Sequence, residues 1–125
     1  MSTSLERISQ VAVHVRDIGR ASAFYREKLG LKHLFDAPPR MAFFECGGVR
    51  LMLTHPEGGE FDHRSSVLYF HVGDIEAAHR SLEAKGVKFR TAPHRVAVVG
   101  EHEFWLAFFE DTEGNVMALS AERRA

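Results

Sequence analysis

Between residues 10 and 15 the chain alternates. Val11, Val13 and Val15 fall on one face, and Gln10, Ala12 and His14 on the other, which predicts a strand. At Asp17 the period changes. Ile18, Ala21, Phe24/Tyr25 and Leu29 recur at helical spacing, behind an N-cap at Asp17 and ahead of a terminating Gly30. "LKHLF" then predicts a short strand and "DAPPR" a turn. The order returns later. In "SVLYFHV", Leu68, Phe70 and Val72 share a face, with Val67, Tyr69 and His71 opposite. Asp74 caps a helix over "IEAAHRSLEAK" whose apolar stripe is Ile75, Ala78 and Leu82; Gly86 ends it, and "VKFR" is the next strand.

The recurrence is literal in places. "VHVRDI" at 13–18 answers "FHVGDI" at 70–75, and "FFECGGVRLMLT" (43–54) answers "FFEDTEGNVMALS" (108–120), each a strand, a Gly-containing turn and a strand. The pattern predicts two β-α-β-β-β modules within one domain (1–125), at about 6–57 and 65–122. The polar stretch "HPEGGEFDHRS" (about 55–65) links them. One helix covers one face of a sheet, so each module keeps a second face to bury. The expected fold is α+β: two tandem modules forming a curled mixed sheet around a central cavity, with the helices outside. The predicted cavity-facing positions are Gln10, Ala12, His14, Arg50, Met52, Thr54, Val67, Tyr69, His71, Val116, Ala118 and Ser120. Such a mixture suits a pocket with apolar walls and few polar anchors.

Composition narrows the partners. The 125 residues carry a formal net charge of −1, and no basic run exceeds a pair, which argues against nucleic acid and anionic membrane. No apolar stretch approaches the ~20 residues of a membrane span, and "MSTSLERISQ" lacks the features of a signal peptide. The single cysteine, Cys46, fits a reducing compartment, so a cytoplasmic location is expected.

With "ISQVAVHVRDIGRASAFYREKLGL" at its start and "FFEDTEGNVMAL" at its end, the chain resembles the vicinal oxygen chelate superfamily. That group includes glyoxalase I, extradiol dioxygenases, methylmalonyl-CoA epimerase and the fosfomycin and bleomycin resistance proteins. Thr112 stands where that ending commonly has proline. The resemblance implies four metal-ligand positions, which here are Gln10, Met52, Val67 and Ala118. Valine and alanine cannot ligate, a thioether is too soft for such ions, and an amide is a weak donor. The expectation is therefore no metal at that site and no cofactor. A divalent ion at a displaced histidine site is the alternative. The resemblance also implies a homodimer.

The remaining chemistry is scattered. His14 and His71 are repeat-related and face the predicted cavity, each about 13 Å along its strand from a ligand position. Their alternatives are a hydrogen-bonded strand-end residue or ligand contact. "PHRVAVVGEHEFW" (93–105) has no repeat partner and holds His94, Glu101, His102, Glu103 and Trp105. It is expected either over the cavity mouth, with His102 and Glu103 as acid–base groups, or as a solvated "GEHE" hairpin turn. Arg50 would grip a carboxylate or phosphate, or form a surface salt bridge. Tyr69 would donate to a ligand or pack, and Trp105 and Phe44 would stack on a ligand or join the core. Nothing near Cys46 in sequence lowers its pKa. His55, Glu60 and His63 are expected to be solvated, and His33 and His79 to lie on the surface.

Catalytic candidates are thus His14, His71, His102 and Glu103. Ligand-binding candidates are Gln10, His14, Arg50, Met52, Tyr69, His71 and Trp105. The leading expectation is a metal-independent small-molecule-binding protein that sequesters an aromatic or metabolite-like ligand. The alternative is a glyoxalase-like lyase or isomerase, or a dioxygenase-related enzyme. A dimerisation module without a ligand is the third reading.

Overall fold

Strand β1 (Gln10–His14) buries Val13 on one face and leaves Gln10 and Ala12 exposed on the other. In the computed structural model the described residues are 5–38, 40–56, 58–60 and 63–124. Part of the predicted "DAPPR" turn (residue 39), part of the linker (57, 61 and 62) and residues 1–4 lie outside them. The chain divides into two units, Met1–Ser65 and Ser66–Ala125.

In the first unit, the Asp17 carboxylate accepts a hydrogen bond from the Arg20 N–H at 3.0 Å and starts helix α1 (Ile18–Ala23). The helix runs on as a π-helical turn over Phe24–Lys28, where the Leu29 N–H donates to the Phe24 carbonyl at 3.1 Å. The wider turn accompanies burial of two successive rings, Phe24 and Tyr25. Gly30, at φ 73°, releases the chain into β2 (Lys32–Ala37), which pairs with β3 (Met41–Cys46) and then β4 (Val49–Thr54). The sheet order is β1-β4-β3-β2, with β1 and β4 parallel and the other pairs antiparallel. Val13, Val15, Tyr25, Phe44, Leu51 and Leu53 form the buried layer between helix and sheet.

The second unit repeats the plan. β5 (Leu68–His71) leads to Asp74, which accepts from the Ala77 N–H at 3.0 Å and caps α2 (Ile75–Ala84). β8 (His102–Glu110) and β9 (Val116–Arg124) are joined by a turn built around Asp111. The buried Asp111 carboxylate accepts from the N–H groups of Glu113 and Asn115 and from the Asn115 amide, at 2.8–2.9 Å. β9 is central, parallel to β5 and antiparallel to β8. Ile75, Phe109, Met117 and Leu119 make the core.

One difference from the predicted β-α-β-β-β plan is instructive. The second unit has two strands on the outer edge of β8, β6 (Lys88–Phe89) and β7 (His94–Val99). β7 and β8 close a hairpin whose last pair is Val99 with His102, so the turn is Gly100–Glu101, with Gly100 at φ 61°. Residues 93–105 are thus an extension of the sheet rather than a separate insertion, and the turn is shorter than "GEHE". Both units are α+β, with a mixed sheet backed by a single helical segment.

Candidate functional site

Each helix covers one face of its sheet, and the predicted site residues divide between the two faces.

On the face of the first sheet away from α1, β1 contributes Gln10, Ala12 and His14. They lie in register with Arg50, Met52 and Thr54 of β4. Gln10 Nε2 lies 3.8 Å from Met52 Sδ. In register with Met52 on β3 is Phe43, whose ring stacks on Phe35 of β2 at 4.6 Å and 25° between planes. The Arg50 guanidinium lies over both rings, 5.7 Å from the centroid of Phe43 and 6.0 Å from that of Phe35. Of its two expected arrangements, a surface salt bridge does not form among the described residues. Glu45, its register partner on β3, accepts instead from the Gly48 N–H at 2.6 Å. His14 is half-buried, with its ring centroid 5.9 Å from that of His63 and its backbone N–H donating to Ser65 Oγ.

On the matching face of the second sheet, Tyr69 and His71 of β5 are exposed and in register with Ala118 and Ser120 of β9. The Tyr69 and Phe108 rings meet edge to face at 6.3 Å, and both residues pair with Ala118, which is fully buried. The His94 ring stands 6.4 Å from Phe108 and its Nδ1 lies 2.9 Å from the Ala92 carbonyl. Val67, just before β5, is exposed.

Glu103 and Trp105 lie on the opposite face, the one α2 packs against. Trp105 Nε1 donates to Glu103 at 3.1 Å, and Arg95 donates to the same carboxylate at 3.3 Å. The hydrogen bond from Trp105, then that from Arg95, hold the Glu103 carboxyl below the usual carboxylate range. The Arg123 guanidinium lies 4.1 Å from the Trp105 ring centroid and pairs with Glu76 of α2. His102 is the neighbour of Glu103 in sequence, but alternation turns it to the other side, exposed and 4.0 Å from Glu122. The two therefore do not form one acid–base pair.

Other residues singled out in the sequence lie in the core or at the surface. Phe44 is fully buried against Tyr25 and His33, so it packs rather than stacks on a ligand. His33 and His79, expected at the surface, are half-buried. His33 lies against Phe44 with Asp36 at 2.8 Å, and His79 meets Phe89 edge to face at 4.5 Å. His55 is also half-buried, whereas Glu60 and His63 are exposed. Burial, then Glu45, push the Cys46 thiol up, away from a reactive thiolate.

Sequence reasoning missed three residues of the open faces, Phe35, Phe43 and Phe108. Alternation against the buried Phe44 and Phe109 signals two of them. The third is hidden by an irregularity between His33 and Phe35 that shifts the β2 register.

The positions at which the resemblance implies metal ligands do not suit a metal. Gln10 and Met52 offer an amide and a thioether, Val67 offers hydrocarbon, and Ala118 is buried between two rings. Among the described residues, no three His, Cys, Asp or Glu side chains gather as a metal-binding group, and no helix is long and apolar enough to cross a membrane.

Comparison with known proteins places this architecture. "Uncharacterized protein YurT" of Bacillus subtilis (strain 168) is 29% identical over 130 residues, spanning 90% of this chain and 97% of YurT. "Uncharacterized protein YetH" of the same organism is 27% identical over 125 residues, spanning 92% of this chain and 98% of YetH. A solved superfamily member from Sphaerobacter thermophilus DSM 20745 has a TM-score of 0.79 at 21% identity, covering 94% of this chain and 98% of its own. Lactoylglutathione lyase from Agrobacterium tumefaciens has a TM-score of 0.75 at 21% identity, covering 95% and 96%. At such identities the likeness of the solved structures is one of fold. Residues 7–119 match the sequence profile of the Glyoxalase/Bleomycin resistance protein/Dioxygenase superfamily, and the chain belongs to that superfamily.

Proposed function

We propose that the protein binds and sequesters a small organic molecule without using a metal, acting in the cytoplasm as a homodimer. The observation that carries this reading is the character of the open sheet faces. Ala118 is enclosed by Tyr69 and Phe108, and Arg50 lies over a Phe35–Phe43 stack. Aromatic and apolar surface with a few polar groups favours a partly apolar ligand. The donor-poor positions Gln10, Met52, Val67 and Ala118 support metal independence. An acid–base enzyme of lyase or isomerase type would have to draw on His14, His71 or His102, because Glu103 is tied to Trp105 and Arg95.

The test is a thermal-shift screen of planar organic compounds, with and without a chelator, on protein offered Zn, Ni, Mn and Fe(II) and then dialysed. Raised melting temperatures that the chelator leaves unchanged are expected. Near-stoichiometric retention of one ion would overturn metal independence, and no stabilisation by any compound would overturn the binding reading. Sedimentation velocity measures the dimer directly.

A further inference from the structure

We infer that the open face of the first sheet is a carboxylate-recognition site, built on Arg50, for ligands with a flat apolar body. This inference rests on the small-molecule-binding reading and names its ligand class.

Arg50 is an exposed cation whose direction is set by aromatic packing. Its guanidinium lies over Phe43 and Phe35, which are stacked on one another. An arginine on an aromatic face has one side of its plane shielded from water while its N–H edge stays available. That edge is the fork that matches the two oxygens of a carboxylate. Holding it in place beforehand reduces the side-chain entropy lost when an anion binds.

The obvious internal competitor is engaged elsewhere. Glu45 is the register partner of Arg50, and its carboxylate is drawn to the Gly48 N–H in the β3–β4 turn. Among the described residues, no carboxylate forms an ion pair with Arg50. The charge is therefore left for a ligand.

Beside Arg50 the face changes character. Met52 lies two residues along β4, in register with Ala12 of β1. Ala12 is exposed and too short to fill its part of the face, so it leaves a shallow apolar floor. Gln10, in register with Arg50, adds an amide that contacts Met52 Sδ. A flat apolar group resting on Met52 and Ala12 would present its carboxylate to the guanidinium and keep the amide at its edge. One cation, with Glu45 nearby, favours a monoanion over a phosphate dianion.

The test uses 2-naphthoate and its neutral counterpart 2-naphthamide, with the full chain, by isothermal titration and amide NMR. The expected result is saturable naphthoate binding, with shift changes centred on residues 10–12, 35 and 50–52. Naphthamide should bind at least about tenfold more weakly, a difference matching one charge-assisted fork. Arg50→Gln should lose a similar factor with an unchanged melting temperature. Arg50→Lys, which keeps the charge without the planar fork, should fall between the two. Inorganic phosphate should not displace naphthoate.

Equal binding of acid and amide, indifference to Arg50→Gln, or displacement by phosphate would each overturn the inference. So would failure of naphthoate to bind. In all these cases the broader reading stands if other compounds from the screen still bind, so the two fail separately.

Discussion

The two units share a plan and differ in where they put charge. In the first, the sheet face away from the helix carries a cation over stacked phenylalanines, and the helix-side layer is packed with Tyr25, Phe44 and Leu53. In the second, the corresponding face is aromatic and presents Tyr69, Phe108 and His94. A charged cluster lies on the other side, where Glu76, Arg123, Glu103 and Arg95 surround Trp105. The longer β8 and β9 create that second cluster, since Glu103, Trp105 and Arg123 all lie in the hairpin extension or opposite it. Repetition supplied a scaffold twice, and extending one sheet gave one copy a polar buttress while the other kept its polar group on the open face.

The most severe way to probe this division is to empty each core. Phe44→Ala and Phe109→Ala remove fully buried rings and should each cost about 3–5 kcal/mol in urea denaturation. Hydrogen exchange should accelerate in 10–54 for the first and in 68–124 for the second. Equal acceleration throughout the chain would mean that the units unfold as one. A smaller effect separates the β-turns. Asp111→Ala removes the acceptor for three donors and should cost about 1–3 kcal/mol. Glu45→Ala in the β3–β4 turn removes a single acceptor and should cost about 1 kcal/mol or less. Each helix cap should matter, with Asp17→Ala and Asp74→Ala each losing at least about 1 kcal/mol, because both carboxylates accept from the backbone N–H three residues on at 3.0 Å.

The smallest effect is acid sensitivity of the second unit. Hydrogen bonds from Arg123, Trp105 and Arg90 hold the carboxyls of Glu76, Glu103 and Glu110, respectively, below their usual range. A depressed folded-state pKa stabilises above the unfolded value, about pH 4.3. That stabilisation is lost as pH falls through the folded values. Exchange protection in 76–124 should therefore weaken below about pH 4.3 before that in 10–54. Glu76→Gln and Glu103→Gln together should blunt the difference. A decline equal in both units would remove the electrostatic contrast.

Much of the scaffold was legible because its signals are local. Asp17 and Asp74 announce their helices, Gly30 adopts the left-handed conformation at a helix end, and valine alternation in β1 identifies the covered face. Alternation also placed Gln10, Arg50, Met52, Tyr69 and His71 on the faces away from the helices. What stayed hidden depends on departures from regular geometry or on distant partners. The π-helical turn at Phe24 breaks the helical period, and the β2 irregularity turns Phe35 to the face where Arg50 waits. Trp105 is assigned by counting back from the buried Phe109 and Ala107, a reading that requires knowing β8 is one nine-residue strand. The bonds that hold Glu103 come from Arg95 and Trp105 across and along that hairpin, and composition cannot show them.

The central position of β9 has a consequence for synthesis. A ribosome that has released residues up to Thr54 has delivered every strand of the first sheet, since β4 pairs with both β1 and β3. The second sheet is different. Among the described residues β5 pairs with β9 alone, and β9 follows every other strand of that sheet in the chain. Until then Leu68 and Phe70 have no strand beside them, and α2 has half a sheet to rest on. The nascent chain thus passes through a stage in which one unit is finished and the other is a collapsed, unpaired segment open to aggregation. A nonsense codon shortly before residue 116 would fix the protein in that stage, because it removes the strand that joins β5 to β8.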